Sequence, residues 1–166
     1  MGRGKARPSR KTSVIMTDDE VGTLRCSGSV VLYRPITYVG GVGRVTEAQV
    51  SSTPGYNVIM RDRRRCWNDL TTAEVLHRSP FQPGTHFAVR EVWTEMDPRY
   101  QSYVFDYRAD RGENWTAEGF WGWRSAAVMP REAVRMTCTV AKVDVLVDRL
   151  IQGRVVWAVD VYLEKN

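Results

Sequence analysis

At 166 residues, with 43% apolar and 26% charged side chains, the chain has the length and composition of one water-soluble domain with its own hydrophobic core. No apolar run approaches the roughly 20 residues that cross a bilayer, so no membrane partner is expected. Net charge is +5, yet residues 1–11, MGRGKARPSRK, hold five of the 24 basic residues and none of the 19 acidic ones, which leaves the remainder formally neutral and argues against a basic face covering the molecule.

Arg3, Lys5, Arg7, Arg10 and Lys11 make residues 1–12 a basic tail. Such a tail is expected to be disordered and either to add salt-sensitive attraction to phosphates or simply to solubilise. Residues 13–166 read as a single domain. The start of the chain has no apolar stretch of the secretory kind, and Cys26, Cys66 and Cys138 are far apart with no C-x-x-C pair. Reduced thiols and a cytoplasmic protein are the expectation.

After the tail, TDDEVGTLRCSG reads as polar and turn-rich, and SVVLYRPI (29–36) as a strand limited by Pro35. The Gly-, Ser- and Thr-rich stretch 38–57 precedes a second strand in YNVIMRD. DLTTAEVLHRS carries a helix N-terminus at Asp69 or Thr71, with Glu74 in its first turns. A turn at PFQPG leads into THFAVREVWTE, whose apolar and polar residues alternate as in a strand. SYVFDYRAD is another strand, followed by the loop RGENWTAEGFWGWRS and a helical turn in PREAVR. MTCTVAKVDVLVDRL and RVVWAVDVYLE are two long period-2 runs separated by IQGR, which predicts a terminal pair of strands. About six short strands with one or two short helices describe a mixed α+β barrel, not a doubly wound sheet.

Few residues are spaced for catalysis. His77 and His86 lack an acidic or cysteine partner pattern, so neither a metal site nor a cofactor is expected. YVGGVGRVTEAQV (38–50) looks like a phosphate loop but lacks the Gly-Lys-Ser/Thr ending of one. RDRRRCW is the densest internal basic cluster. On a strand, Arg61, Arg63 and Arg65 would share a face and touch successive phosphates, with Trp67 as a stacking surface; a solvated, charge-protected edge is the competing reading. In the aromatic segment 100–123, most rings are expected in the core, while Trp115, Trp121 and Trp123 are candidates for a ligand wall.

Three blocks come in a familiar order. PFQPGTHFAVREVW is followed by YRAD and then by GWRSAAVMPREAVRMTCTVAKVDVLVDRL. Pro80, Pro83, Gly84, Val89, Arg90, Glu91 and Trp93 in the first, Tyr107, Ala109 and Asp110 in the second, and Trp123, Met129, Pro130, Arg131, Ala133 and Arg135 in the third resemble the pattern of phage and bacterial ASCH-domain (activating-signal-cointegrator homology) proteins. The resemblance covers residues 78–150. It implies a small β-barrel like that of the pseudouridine-synthase-and-archaeosine-transglycosylase (PUA) domains, with RNA or modified nucleosides in its cleft. Some family members are nucleoside amidohydrolases or ribonucleases.

Aligned on Pro35, the family's G-x-K-x-x-T-x-R motif starts at Gly43, and Arg44 and Thr46 fall on permissive positions. The motif lysine, threonine and arginine fall on Val45, Ala48 and Val50, and the serine and histidine before M-P-R on Ala126 and Val128. Gly40 and Gly41 stand where the family has a short helix, which they weaken by about 1 kcal/mol each. Valine cannot move a proton or polarise a scissile bond. The resemblance therefore implies a non-catalytic protein that binds RNA, DNA or a nucleotide-like small molecule through Arg90, Trp123, Arg124, Arg131 and Arg135, aided by Arg61, Arg63, Arg65 and Trp67. Two alternatives stay open: a hydrolase with Glu91 as its base, or a phage factor that engages a host defence protein in the host cytoplasm. Glu91 has a structural alternative too, an ion pair with Arg131 or Arg135 that holds the MPR turn.

Overall fold

The computed structural model describes residues 12–165; of the tail expected over 1–12, residues 1–11 lie outside the described residues and Thr12 opens the first strand. Strands make up 42% of the structure and there are three α-helices, so the class is mixed α+β with strands dominant. Among the described residues no sheet closes into a barrel.

In chain order, strand β1 (Thr12–Ile15) leads into helix α1 (Asp18–Ser27). The sequence reads that segment as polar turn, because only Val21 and Leu24 are buried and no apolar stripe announces a helix. Its ends explain it. The Thr17 hydroxyl accepts the Glu20 amide, the Glu20 carboxylate accepts the Thr17 amide at 2.9 Å, and Gly28 closes the helix in the left-handed region at φ 79°. Next come β2 (Ser29–Pro35), β3 (Tyr38–Val39), β4 (Gly43–Arg44), β5 (Glu47–Val50), β6 (Val58–Arg61) and β7 (Trp67–Leu70). Helix α2 (Thr72–His77) starts at Thr71 with a second reciprocal cap to Glu74, as its sequence predicts. The remaining elements are β8 (His86–Arg90), β9 (Trp93–Glu95), β10 (Phe105–Tyr107), α3 (Arg108–Arg111), two 3-10 turns (Ala126–Val128, Arg131–Ala133), β11 (Thr137–Ile151) and β12 (Arg154–Leu163).

Among the described residues, twelve strands therefore replace the expected six or so, and three α-helices the expected one or two. Most of the surplus consists of strands of two to four residues, too short for an alternation pattern to form.

Two compact units divide the chain. The first contains the described residues up to Gly28, His86–Cys138, and the stretch from Leu163. Here β1 and β8 pair in parallel, Val14 opposite Val89, and β9 pairs antiparallel with β10. Trp93, Met129 and Ala133 form a buried cluster against which Phe105, Tyr107 and Val134 pack.

The second unit contains Ser29–Thr85 and Thr139–Tyr162. In it β12 lies between β11 and β2, with β2 antiparallel in a register from Ser29 opposite Tyr162 to Pro35 opposite Val156. The expected strand pair is thus present, and its two-residue turn, Gln152–Gly153, has positive φ at both positions (53° and 70°), as a tight hairpin following the strand twist requires. Strands β5, β6 and β7 form an antiparallel meander in that order.

Candidate functional site

The RDRRRCW cluster does not lie along a strand. β6 ends at Arg61, and Arg63, Arg64 and Arg65 form the tip of the β6–β7 hairpin, all exposed. The one-face spacing expected for Arg61, Arg63 and Arg65 is therefore corrected. The cause is Asp62, whose Oδ1 accepts the amides of Arg64 at 2.8 Å and Cys66 at 2.9 Å and folds the chain back. The Asp62 carbonyl accepts the Arg65 amide at 3.1 Å, and Arg65 takes φ 65°. That is a type I turn followed by a left-handed residue, where glycine is the usual occupant; a side chain there costs about 1–2 kcal/mol. No ion pair engages Arg63, Arg64 or Arg65 among the described residues.

Below the tip, Glu47, Arg61 and Trp67 stand opposite one another across β5, β6 and β7. Opposed residues share a face, and this face is the outer one, because the next row inward in register contains the fully buried Ala48 and Met60. Arg61 is held from both sides. Its guanidinium meets Glu47 at 3.4 Å and lies 5.7 Å from the Trp67 ring centre. Trp67 is 43% exposed, on the edge strand of the meander.

The glycine-rich stretch supports this hairpin without forming a site. Instead of the short helix expected from the resemblance to ASCH-domain proteins, β3 and β4 make a small antiparallel pair with Gly41 and Gly43 at φ 84° and 87°. Val45 and Ala48 are fully buried, so their positions belong to the core. Val50 is exposed. Arg44 is exposed on β4, while Thr46 donates its amide at 2.9 Å and its hydroxyl at 3.1 Å to the Arg61 carbonyl, bracing the end of β6.

In the first unit, the residues expected to bind a ligand are mostly engaged internally. Arg90 donates to the Met129 carbonyl at 2.8 Å and so ties the MPR turn to β8. Arg135 holds the wholly buried Glu91 through two bonds, at 2.8 and 2.9 Å, so of the two readings open for Glu91 the geometry is that of the ion pair. Asp110 accepts from Arg135 and from Arg25 of α1, and the Arg135 guanidinium stacks 3.8 Å from the Tyr107 ring centre. Burial pushes the Asp110 carboxyl upward, but hydrogen bonding from Arg135 and the charges of Arg135, Arg25 and Arg111 outweigh it and hold it below the usual range. Burial raises the Tyr107 phenol, which stays a donor, to the Ala133 carbonyl at 2.6 Å.

Trp123 packs against Trp115 at a tilt and against Phe120 edge to face, at 5.9 and 5.0 Å between ring centres, and its indole donates to the Glu113 carbonyl at 3.1 Å. Of the three tryptophans expected to wall a ligand site, only Trp121 is largely open, at 66% exposure. Arg124 is exposed with its guanidinium 5.2 Å from the Trp93 ring centre. Arg131 is exposed and has no ion pair among the described residues.

Two participants escaped the sequence reading. Asp62 could have been found, since an aspartate before a run of arginines is a turn signal. Arg25 could not, because 85 residues separate it from Asp110. Among the described residues no group of His, Cys, Asp and Glu is arranged to hold a metal, and no helix is long and apolar enough to cross a membrane. No family model matches this chain, and no curated protein or solved structure does.

Proposed function

We propose that this protein binds nucleic acid, or a nucleotide-like ligand, without hydrolysing it, and that the β6–β7 hairpin is the principal contact. The observation that carries this reading is the tip itself, three exposed guanidinium groups in a row with no ion-pair partner among the described residues, beside an exposed indole. Like charges so close repel one another, and polyanionic phosphate relieves that repulsion while releasing counterions. In the first unit, the exposed Arg131 and Arg124, the latter lying over the Trp93 ring, add further cationic contacts. Similarity to the ASCH pattern favours the same ligand class and a PUA-like barrel as the ancestry of the fold.

Hydrolysis by way of Glu91 is disfavoured by its setting. Both carboxylate oxygens accept from Arg135 and none of the residue reaches solvent, so a base role would require that pair to open. A protein-binding role is supported by the exposed Trp121, which offers a partner no cluster of like charges such as the hairpin offers nucleic acid.

The test is the salt dependence of binding to a labelled 16-nucleotide oligonucleotide by fluorescence anisotropy. Replacing Arg63, Arg64 and Arg65 together by alanine should weaken binding and lower the log–log salt slope by roughly one per lost phosphate contact. An unchanged affinity and slope would overturn the proposal.

A further inference from the structure

We infer that the hairpin selects unpaired over duplex nucleic acid, with one base stacked on the open face of Trp67 while Arg63, Arg64 and Arg65 hold the flanking phosphates. The inference rests on the nucleic-acid reading of the same hairpin and adds the class of strand to it.

Trp67 is the reason. A large indole 43% exposed on an edge strand leaves apolar surface in water that a stacked partner would cover. The Arg61 guanidinium, which Glu47 meets at 3.4 Å, lies over the ring 5.7 Å from its centre, so the side turned away from Arg61 is the one a base would take. Arg61 also carries a buried Nε with no hydrogen-bond partner among the described residues. A guanidinium behind an indole strengthens the cation–π side and leaves a flat, rigid platform on the other. In a duplex both faces of every internal base are stacked on neighbours, so such a platform has nothing to receive. An unpaired base presents a free π-face, of any sequence.

The tip supplies the other half. Arg65 and Trp67 are two residues apart, separated by Cys66, so phosphate and base contacts fall within a short reach of one another. Arg65 is kept in a left-handed conformation that glycine would adopt without strain, and the arginine adds a third cation next to the platform. Asp62 spends one carboxylate oxygen on two tip amides, which fixes where the guanidinium groups begin. Platform and cations are thus both positioned before any ligand arrives.

The experiment compares the full chain's affinity for one 16-nucleotide mixed-sequence strand, as DNA and as RNA, with its affinity for the same strand annealed to its complement. Single strands should bind at least several-fold more tightly than the duplex. Trp67→Ala should cost roughly ten-fold on single strands, within the range of one lost stacking contact, and leave duplex binding unchanged, while Trp67→Phe keeps most of the affinity. Equal or tighter duplex binding, or an equal loss on both forms in Trp67→Ala, overturns the inference and leaves nucleic-acid binding standing. Loss of the underlying reading looks different: the triple arginine variant then binds every form as the parent does. Thermal unfolding of each variant shows that it is folded at the assay temperature, so that a loss of affinity is read as a lost contact and not as a lost fold.

Discussion

Arg135 and Glu91, 44 residues apart in sequence, meet in a two-point ion pair at 2.8 and 2.9 Å in which the carboxylate is entirely excluded from water. Asp110 on the far side of the guanidinium and the Tyr107 ring beneath it complete the surroundings of Arg135. A buried pair of this kind is expensive to break from one side only. Arg135→Met leaves Glu91 charged and unpaired, and should cost about 3–5 kcal/mol in urea unfolding. Adding Glu91→Leu should recover a large part of that loss, because the orphaned charge is removed. If the double variant is no more stable than Arg135→Met, the pair is not what holds this region.

Acid should expose the same network. The Asp110 carboxyl lies below its usual range in the folded chain, because Arg135, Arg25 and Arg111 outweigh the opposing effect of burial. Hydrogen bonds from the side chain and backbone of Arg99 bring Asp97 down to about 2. A carboxyl depressed on folding stabilises the native state above its unfolded pKa, near 4, and the gain is lost as pH falls through the folded value. The urea midpoint should therefore be flat from about pH 7 to 5 and fall below about pH 4. Asp110→Asn should start lower at neutral pH and decline less steeply in acid. Parallel curves for the two proteins would show that Asp110 does not contribute to acid sensitivity.

Where long alternation or a capping box is present, sequence and structure agree: β11, β12, β2 and α2 lie where the residues point. Local signals of this kind depend only on neighbours in the chain. The cap of α1 was equally legible in Thr17 and Glu20, but Gly22 and the polar residues around it outweighed it. The candidate site was legible in composition and misread in shape. Four arginines in five residues mark a cationic feature, yet one aspartate carboxylate converts a strand face into a hairpin tip. The Glu91–Arg135 pair is one of the readings the sequence leaves open, though nothing local chooses Arg135 over Arg131, while the bond from Arg90 to the Met129 carbonyl, 39 residues away, was not legible.

Gly40 and Gly41 separate two meanings of a glycine pair. The ASCH-like pattern treats both as helix-weakening, but the chain forms a turn between β3 and β4 here. Gly41 has φ 84°, and a Cβ on it would sit 3.1 Å from the Arg78 guanidinium; Gly40 has ordinary φ and its nearest neighbour, the Arg78 Cβ, at 3.8 Å. Arg78 can give way at its far end, so backbone strain decides. Gly41→Ala should lose about 1–2 kcal/mol, while Gly40→Ala should stay within about 0.5 kcal/mol of the parent. Equal effects in thermal unfolding would mean that the turn geometry is not strained by a side chain.

Thiol chemistry offers a direct footprint of the hairpin. Cys138 is buried in β11, and burial first, then the charge of Glu164, pushes its thiol up to about 11, so at pH 8 it is protonated as well as inaccessible. Cys26 and Cys66 are exposed. Native protein treated with iodoacetamide should thus label at Cys26 and Cys66 and spare Cys138, with all three labelled in urea, as peptide mass spectrometry would read. Cys66 sits between Arg65 and Trp67, inside the surface assigned to the unpaired strand, whereas Cys26 is on α1. A saturating single-stranded oligonucleotide should slow labelling of Cys66 and leave Cys26 as the internal control. Slowing of both to the same degree would indicate general crowding by the ligand, and slowing of Cys26 alone would move the contact to the first unit and away from the hairpin.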